Sequence, residues 1–531
     1  MIRMVINSFK IRHDENLFDF IIFLCLCLLV IGLPTSKALV SITQGLLFAA
    51  WLFDGNIKEK LNRFLNNKPA IFLSSIYLVY VIGLIWTQDF EHAITGVLKD
   101  KIPFLSMVLV VSSSRQIPTN RLHTLFLLFV FSVLFTSVVG AIGYLSGLIV
   151  HSRELSVFVL HVHFSMMIVM AVFLFPWLCS QMECKRIEYL FSMLASLWLL
   201  VFLFIMSTLT GILSLLGVCL FLLLRFIFRK PVLSRIATVI IAFVAMAVIV
   251  VYIVMQITEP IYRVIDPDPA TLNELTAEGN SYSHYFDDDM RENGHLVYVF
   301  IANNELREAW NQRSNFDFDS LDEAGNKIRF TIYRYLSSKG LRKDKDGLQS
   351  IDQKEIEAIE RGVINYLHLD WPSFYVRLHQ TIWELKEYQR KRDPAGHSLA
   401  KRIEIWKATV VATKERPLLG WGTGDVLHAM DYGLASINSK LEEHGLRHPH
   451  NQFLHILVML GITGLIVIFT LLFLFVKTSG AYRFLPFNIL MVIIFVSMLG
   501  NSPFDSQTPI NFFLFFSLAF GISYNNPIIE K

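Results

Sequence analysis

Two side chains four residues apart open the chemical case. In Arg402-Ile-Glu-Ile-Trp406 the arginine and the tryptophan share one helix face. A guanidinium there can grip a phosphate through two parallel N–H bonds, or it can lie over the indole at a surface. Further on, His448-Pro449-His450-Asn451 stands directly before an apolar run that continues Gln452-Phe453-Leu454-His455. An imidazole of near-neutral pKa can take a proton from a sugar hydroxyl, which makes His450 a candidate base. It can equally cap the helix that follows. Between the two lies Arg416-Pro-Leu-Leu-Gly-Trp-Gly-Thr-Gly424. Gly420, Gly422 and Gly424 would let backbone amides approach an anion, or they form a plain turn. No Lys-Ser/Thr follows, so this is not a Walker loop.

Other polar groups flank apolar runs. Lys99 and Lys101 precede one run, Arg153 lies in a short loop, and His161 and His163 fall within another run. Ionisable groups at membrane depth are costly, so they point to function or to a paired neighbour. The Lys343–Gly347 stretch (KDKDG) resembles a calcium loop. Arg342 would be its first ligand and Gln353 its twelfth, which excludes an EF-hand and leaves a surface turn. The cysteines 25, 27, 179, 184 and 219 lie in or beside apolar segments, with no CxxC pair for zinc.

The elements that must position these groups are membrane helices. Hydrophobic residues make up 54% of the 531, charged residues only 17%, and the 44 phenylalanines suit lipid-facing surfaces. A helix needs about 20 apolar residues to cross the hydrocarbon core. Such runs occupy about 17–33, 38–53, 69–86, 102–114, 121–148, 156–180, 187–206, 208–228, 234–257, 451–476, 482–500 and 507–524. The expectation is an all-α polytopic membrane protein of about twelve spans, the first an uncleaved signal anchor. With the N-terminus inside, one side carries Arg3, Lys10, Arg12, Lys58, Lys60, Arg63, Lys68, Arg115, Arg121, Lys185, Arg186, Arg225, Arg229, Lys230, Arg235, Lys477, Arg483 and Lys531. The short loops of the other side carry only Lys37, Lys99, Lys101 and Arg153. That asymmetry is the positive-inside pattern. It divides the chain into a membrane domain 1–257, an external domain 258–450 and closing helices 451–531. The segment 258–450 holds Trp310, Trp371, Trp383, Trp406 and Trp421 and has helical periodicity, so it is expected to fold. A net charge of +3 gives no sign of nucleic-acid binding.

Taken together, R-x-x-x-W, P-L-L-G-x-G-x-G, H-N-Q-F-L and G-I-x-G-L resemble the O-antigen ligase and polymerase family, bacterial membrane glycosyltransferases of the GT-C type. GLPTSKALVSI, IGLIWTQDFEHAITGVLKDKIPF and SPFDSQTPINFFLFF also look like members of that family. So do ENGHLVYVF, ELREAWNQRS, RYLSSKGLRKDKDG and DPAGHSLAKRIEIW in the external domain, which suggest a subgroup with an enlarged periplasmic loop. The resemblance implies an undecaprenyl-diphosphate-linked glycan donor, a lipid A core or growing glycan acceptor, and no cofactor or metal. It implies inverting transfer at the periplasmic face of the inner membrane. It gives Arg402 to the donor diphosphate and His450 to catalysis. Beside them, Lys101, Arg416 or His163 are expected to help neutralise the diphosphate, and Trp406, Gly420, Gly422, Gly424, His448 and Asn451 to support the site. Three departures are visible, one being His163 in HVHFS, where the family often has an arginine in the sixth span. The turn that usually reads S-R-T-G is Ser207-Thr208-Leu209-Thr210-Gly211, and the acid expected before the last span is replaced around Asn501. Ligase, polymerase and protein O-glycosylating relatives share these motifs. A non-enzymatic transporter would place its charges deep in broken helices rather than at the outer edge.

Overall fold

The computed structural model describes residues 2–11, 15–149, 152–228, 251–252, 254–272, 274–371, 373–394, 398–441 and 448–523. The chain divides into two compact units, Met1–Phe226 with Lys401–Lys531, and Ile227–Ala400.

The first unit is helical. Its first half contains α1 (Leu17–Thr35), α2 (Lys37–Phe53), α3 (Lys68–Trp86), α4 (Pro103–Ser113), α5 (Thr119–Leu145), α6 (His161–Gln181), α7 (Arg186–Met206) and α8 (Leu209–Ile227). Local chemistry sets several of these ends. Ser36 ends α1 with its amide on Gly32 O and starts α2 by accepting from Leu39 N at 3.2 Å. Asn67 caps α3, with a proline in its first turn. Among the described residues, seven helices are long and apolar enough to cross a membrane. They are α1, α3 and α5 to α8, with α14 introduced below. An eighth span results if α2 is taken with Ile57–Leu65, which leaves it at 114°. The expected run 102–114 yields only the eleven-residue α4, about half of what a span needs. The expected ninth span, 234–257, lies mostly outside the described residues.

The second unit has its own core. Trp310, Tyr335 and Leu336 are fully buried in it; the last two lie on α9 (Ile328–Ser338), which packs with α10 (Gln353–Glu360). Asp352 and Glu355 close a reciprocal cap at the start of α10. α11 (Ser373–Lys391) completes the helices that matter below. The only paired strands among the described residues are a two-residue hairpin, Arg291–Glu292 with His295–Leu296. Asp344 caps a short helix through Gly347 N at 2.7 Å, so the calcium-like stretch is a helix start.

The chain then returns to the first unit through α12 (Ser398–Glu415), α13 (Val426–Ser436), α14 (Gln452–Ser479), α15 (Leu485–Gly500) and α16 (Gln507–Leu518). The packing boundary at residue 400 therefore precedes the expected topological boundary at 450. α12, which carries Arg402, packs with the apolar helices. Phenylalanine also does more than face lipid. Phe126 and Phe129 are completely buried, and their rings meet Phe516 at 5.7 Å and 5.1 Å. A phenylalanine ladder thus ties α5 to α16 with well over 100 Å² of apolar surface per ring.

Candidate functional site

The two glycine-rich motifs form one structural element. α14 breaks at Gly461, whose φ of 65° and ψ of −171° leave the helix. Val458 O accepts from Trp421 N at 2.9 Å, and Met459 O accepts from Gly422 N at 2.9 Å. The displaced helix donors Ile462 N and Thr463 N turn to Pro417 O and Leu418 O at 2.9 and 3.2 Å. The loop thereby supplies the hydrogen bonds that the broken helix lacks, which a backbone at membrane depth requires. Only glycine fits the contact. A methyl on Gly461 would lie 2.2 Å from Leu418 O, and one on Gly420 would lie 2.6 Å from Gly461 N.

This arrangement corrects the anion-nest reading of the loop. Gly420 N donates to Arg416 O at 3.1 Å, Gly422 N to Met459 O, and Gly424 N to Thr87 Oγ1 at 3.2 Å. Those amides are already engaged within the protein. Arg416 also moves off the site. It follows the last turn of α12 with its guanidinium 4.6 Å from the Trp421 ring centre. Helix rise separates it from Arg402 by about 21 Å, so the two cannot grip one diphosphate.

The segments that carry Arg402 and His450 are joined by one hydrogen bond. Trp406, one turn beyond Arg402 on α12, donates its indole N–H to Pro449 O at 2.8 Å. That bond fastens the helix carrying Arg402 to the residue before His450. His450 then adopts a left-handed backbone with φ of 47°, a conformation costing a non-glycine residue about 1 kcal/mol or more. Asn451 fixes the exit from this turn. Its Oδ1 caps α14 through Leu454 N at 3.1 Å, and its Nδ2 donates to Leu499 O at 3.0 Å. The half-buried Arg402 reaches Gly500, with Nη1 3.6 Å from where a methyl would project. Burial, then the Arg402 charge and the His448 and His455 imidazoles, push His450 down to about 4. It is neutral at physiological pH and can accept a proton.

Beneath this pair lies a group that the sequence did not reveal. Asp505, just before α16, holds the Lys101 ammonium at 2.9 Å and contacts the His455 imidazole. Lys101 is 1% exposed, and its ammonium lies 4.7 Å from the Tyr80 ring centre. Burial alone would raise the Asp505 pKa. His455 and Lys101 outweigh burial and hold the carboxyl below its usual range. Lys101 is therefore engaged in an ion pair rather than presented to a donor phosphate. Asp505 is also the acid found before the last helix, four residues beyond the place where one was expected. His448 is exposed, and its ring centre is 6.4 Å from that of His455.

A chain of contacts leads from the helix of His163 toward Gly500. His163 is buried on α6, with Nδ1 unpartnered, two residues before Ser165. A methyl on Gly211 would lie 2.6 Å from Ser165 Cβ. The neighbouring Thr210 hydroxyl accepts from Asn501 Nδ2 at 2.9 Å, next to Gly500. A neutral Thr210–Asn501 pair thus stands beside Leu209, where the resemblance had led to the expectation of an arginine. Gln452 locks the layers by accepting from Phe504 N at 2.7 Å. His455 was legible only as a single polar residue in an apolar stretch, and Asp505 as one acid in the short polar turn Asn501–Thr508.

The family model described as O-antigen ligase matches residues 362–469. These residues include Arg402, Trp406, the glycine loop, His450 and the break at Gly461. The chain carries an O-antigen ligase family domain. No curated protein matches the chain. The O-antigen ligase match supports a ligase- or polymerase-type role in glycan transfer, with a lipid-linked donor and a glycan acceptor in general terms. The apolar helices make this a multi-pass membrane protein.

Proposed function

We propose that this protein transfers a glycan from an undecaprenyl-diphosphate carrier to a hydroxyl of lipid A core, at the periplasmic face of the bacterial inner membrane. The supporting observation is the Trp406–Pro449 hydrogen bond, which joins the helix of Arg402 to the turn of His450. Arg402 grips the diphosphate through its fork and takes up the charge that develops as the carrier leaves. His450 accepts the proton of the attacking hydroxyl, and attack opposite the leaving group inverts the anomeric carbon. A bound diphosphate beside His450 favours the imidazolium, raising its pKa toward the operating pH. The Asp505–Lys101–His455 group anchors the floor of this arrangement and does not touch substrate.

The acceptor is decided by the lipopolysaccharide ladder of a deletion strain. Loss of all glycan-capped bands with uncapped core retained is the expected result. A single-repeat cap makes the protein a polymerase instead, and an unchanged ladder excludes both roles. Topology is tested separately. A reporter active only outside the cytoplasm is expected to score when fused after residue 320 and to stay silent after residue 60. A silent fusion at 320 removes the periplasmic assignment.

A further inference from the structure

We propose that the second unit holds a saccharide-binding site of its own, in a cavity between the hairpin and α11. The cavity of about 290 Å³ is lined by Glu292, Arg334, His368, His379, Gln380 and Trp383, among others. That is roughly twenty times the space one water needs.

The lining selects the ligand. His368 Nε2 and His379 Nδ1 share a hydrogen bond at 3.1 Å. His379 is 3% exposed, and its Nε2 is buried with no partner. In one tautomer Nε2 is a donor without an acceptor; in the other it is an acceptor without a donor. A hydroxyl satisfies either, and leaving Nε2 unpaired costs free energy. Burial keeps both imidazoles neutral by lowering their pKa values to about 3 for His368 and about 4 for His379, with the Arg334 charge contributing. The charges of the wall are matched. Arg334 donates to Glu292 through Nε at 2.7 Å, and Glu384, also in the wall, faces Arg377 at 3.7 Å. A cavity with balanced charge gives neither an anion nor a cation an advantage, and its polar wall disfavours a hydrocarbon. Trp383 adds an aromatic ring to the wall, one face of which carries the Arg334 guanidinium 4.3 Å from the ring centre. Hydroxyl partners beside an aromatic plane suit a neutral sugar ring, which presents hydroxyls at its edge and C–H groups on its face. The site touches glycan rather than reacting atoms. Choosing a glycan over another polyol rests on the transfer reading.

The test uses the full chain in lipid nanodiscs. The probe is the repeat-unit oligosaccharide released by mild acid from the host strain's own surface polysaccharide, and the readout is saturation-transfer NMR. Wild type is expected to transfer saturation to sugar protons. His379→Phe removes the buried nitrogen and Gln380→Trp fills the cavity from its half-exposed side; each is expected to weaken binding roughly fivefold to tenfold. Circular dichroism and size exclusion confirm that each variant folds. Arg402→Ala should keep the saccharide signal while losing glycan transfer. No signal in wild type, or an unchanged signal in a folded Gln380→Trp, overturns the proposal. A saccharide signal combined with intact transfer in Arg402→Ala upholds the site and sinks the transfer reading alone.

Discussion

Replacing His450 with alanine is expected to lower glycan transfer by about 10² to 10⁴-fold, the range typical of a lost general acid–base group. Protein abundance should stay close to wild type. The side chain is half-buried, and the turn that presents it is held by other residues, the Trp406–Pro449 bond and the Asn451 cap. Arg402→Lys keeps the charge and loses the fork. It should cost roughly 10²-fold, as for removal of one transition-state donor. His448→Ala should do far less, because His448 is exposed. The readout is the amount of capped lipopolysaccharide per unit of protein in a complemented deletion strain. Normal capping in His450→Ala at normal abundance rejects the catalytic assignment. Loss of the protein itself in both variants makes the residues structural.

The second large effect is on stability. Asp505→Asn removes the partner of an ammonium that is almost completely buried. An uncompensated buried charge costs about 3–5 kcal/mol, enough to take much of the stability of an ordinary domain. The variant should unfold at markedly lower temperature in detergent and accumulate poorly. The double variant Lys101→Met with Asp505→Leu removes both charges, and it should recover most of the loss because a buried ion pair and a packed apolar pair are often equivalent. A single variant as stable as wild type, or a double variant no better than the single, means that the pair does not hold the floor of the site.

These results bear on what the sequence could and could not show. Arg402 and His450 were accessible as candidates because each sits in a local pattern, an i, i+4 helix face and a capped helix start. Most of the membrane helices were equally accessible, since length and hydropathy are local properties. Asp505 and His455 were not, because their meaning depends on a contact between segments fifty residues apart. Lys101 looked like a free cation for the same reason. The glycine loop misled because sequence shows where amides are exposed by small residues, not where those amides are used. Here they repair the break at Gly461 in α14. Arg416 seemed close to Arg402 through the shared motif, yet an intervening straight helix carried it away.

The most direct test is reconstitution. Purified protein, an undecaprenyl-diphosphate-linked oligosaccharide and lipid A core are combined in excess chelator, and free undecaprenyl diphosphate and glycosylated core are measured. Wild type should release the carrier and glycosylate the core in equal amounts, with inverted configuration at the new linkage, and Arg402→Lys should do so slowly. Wild-type protein that is folded and releases no carrier, or releases it with retained configuration, contradicts the account.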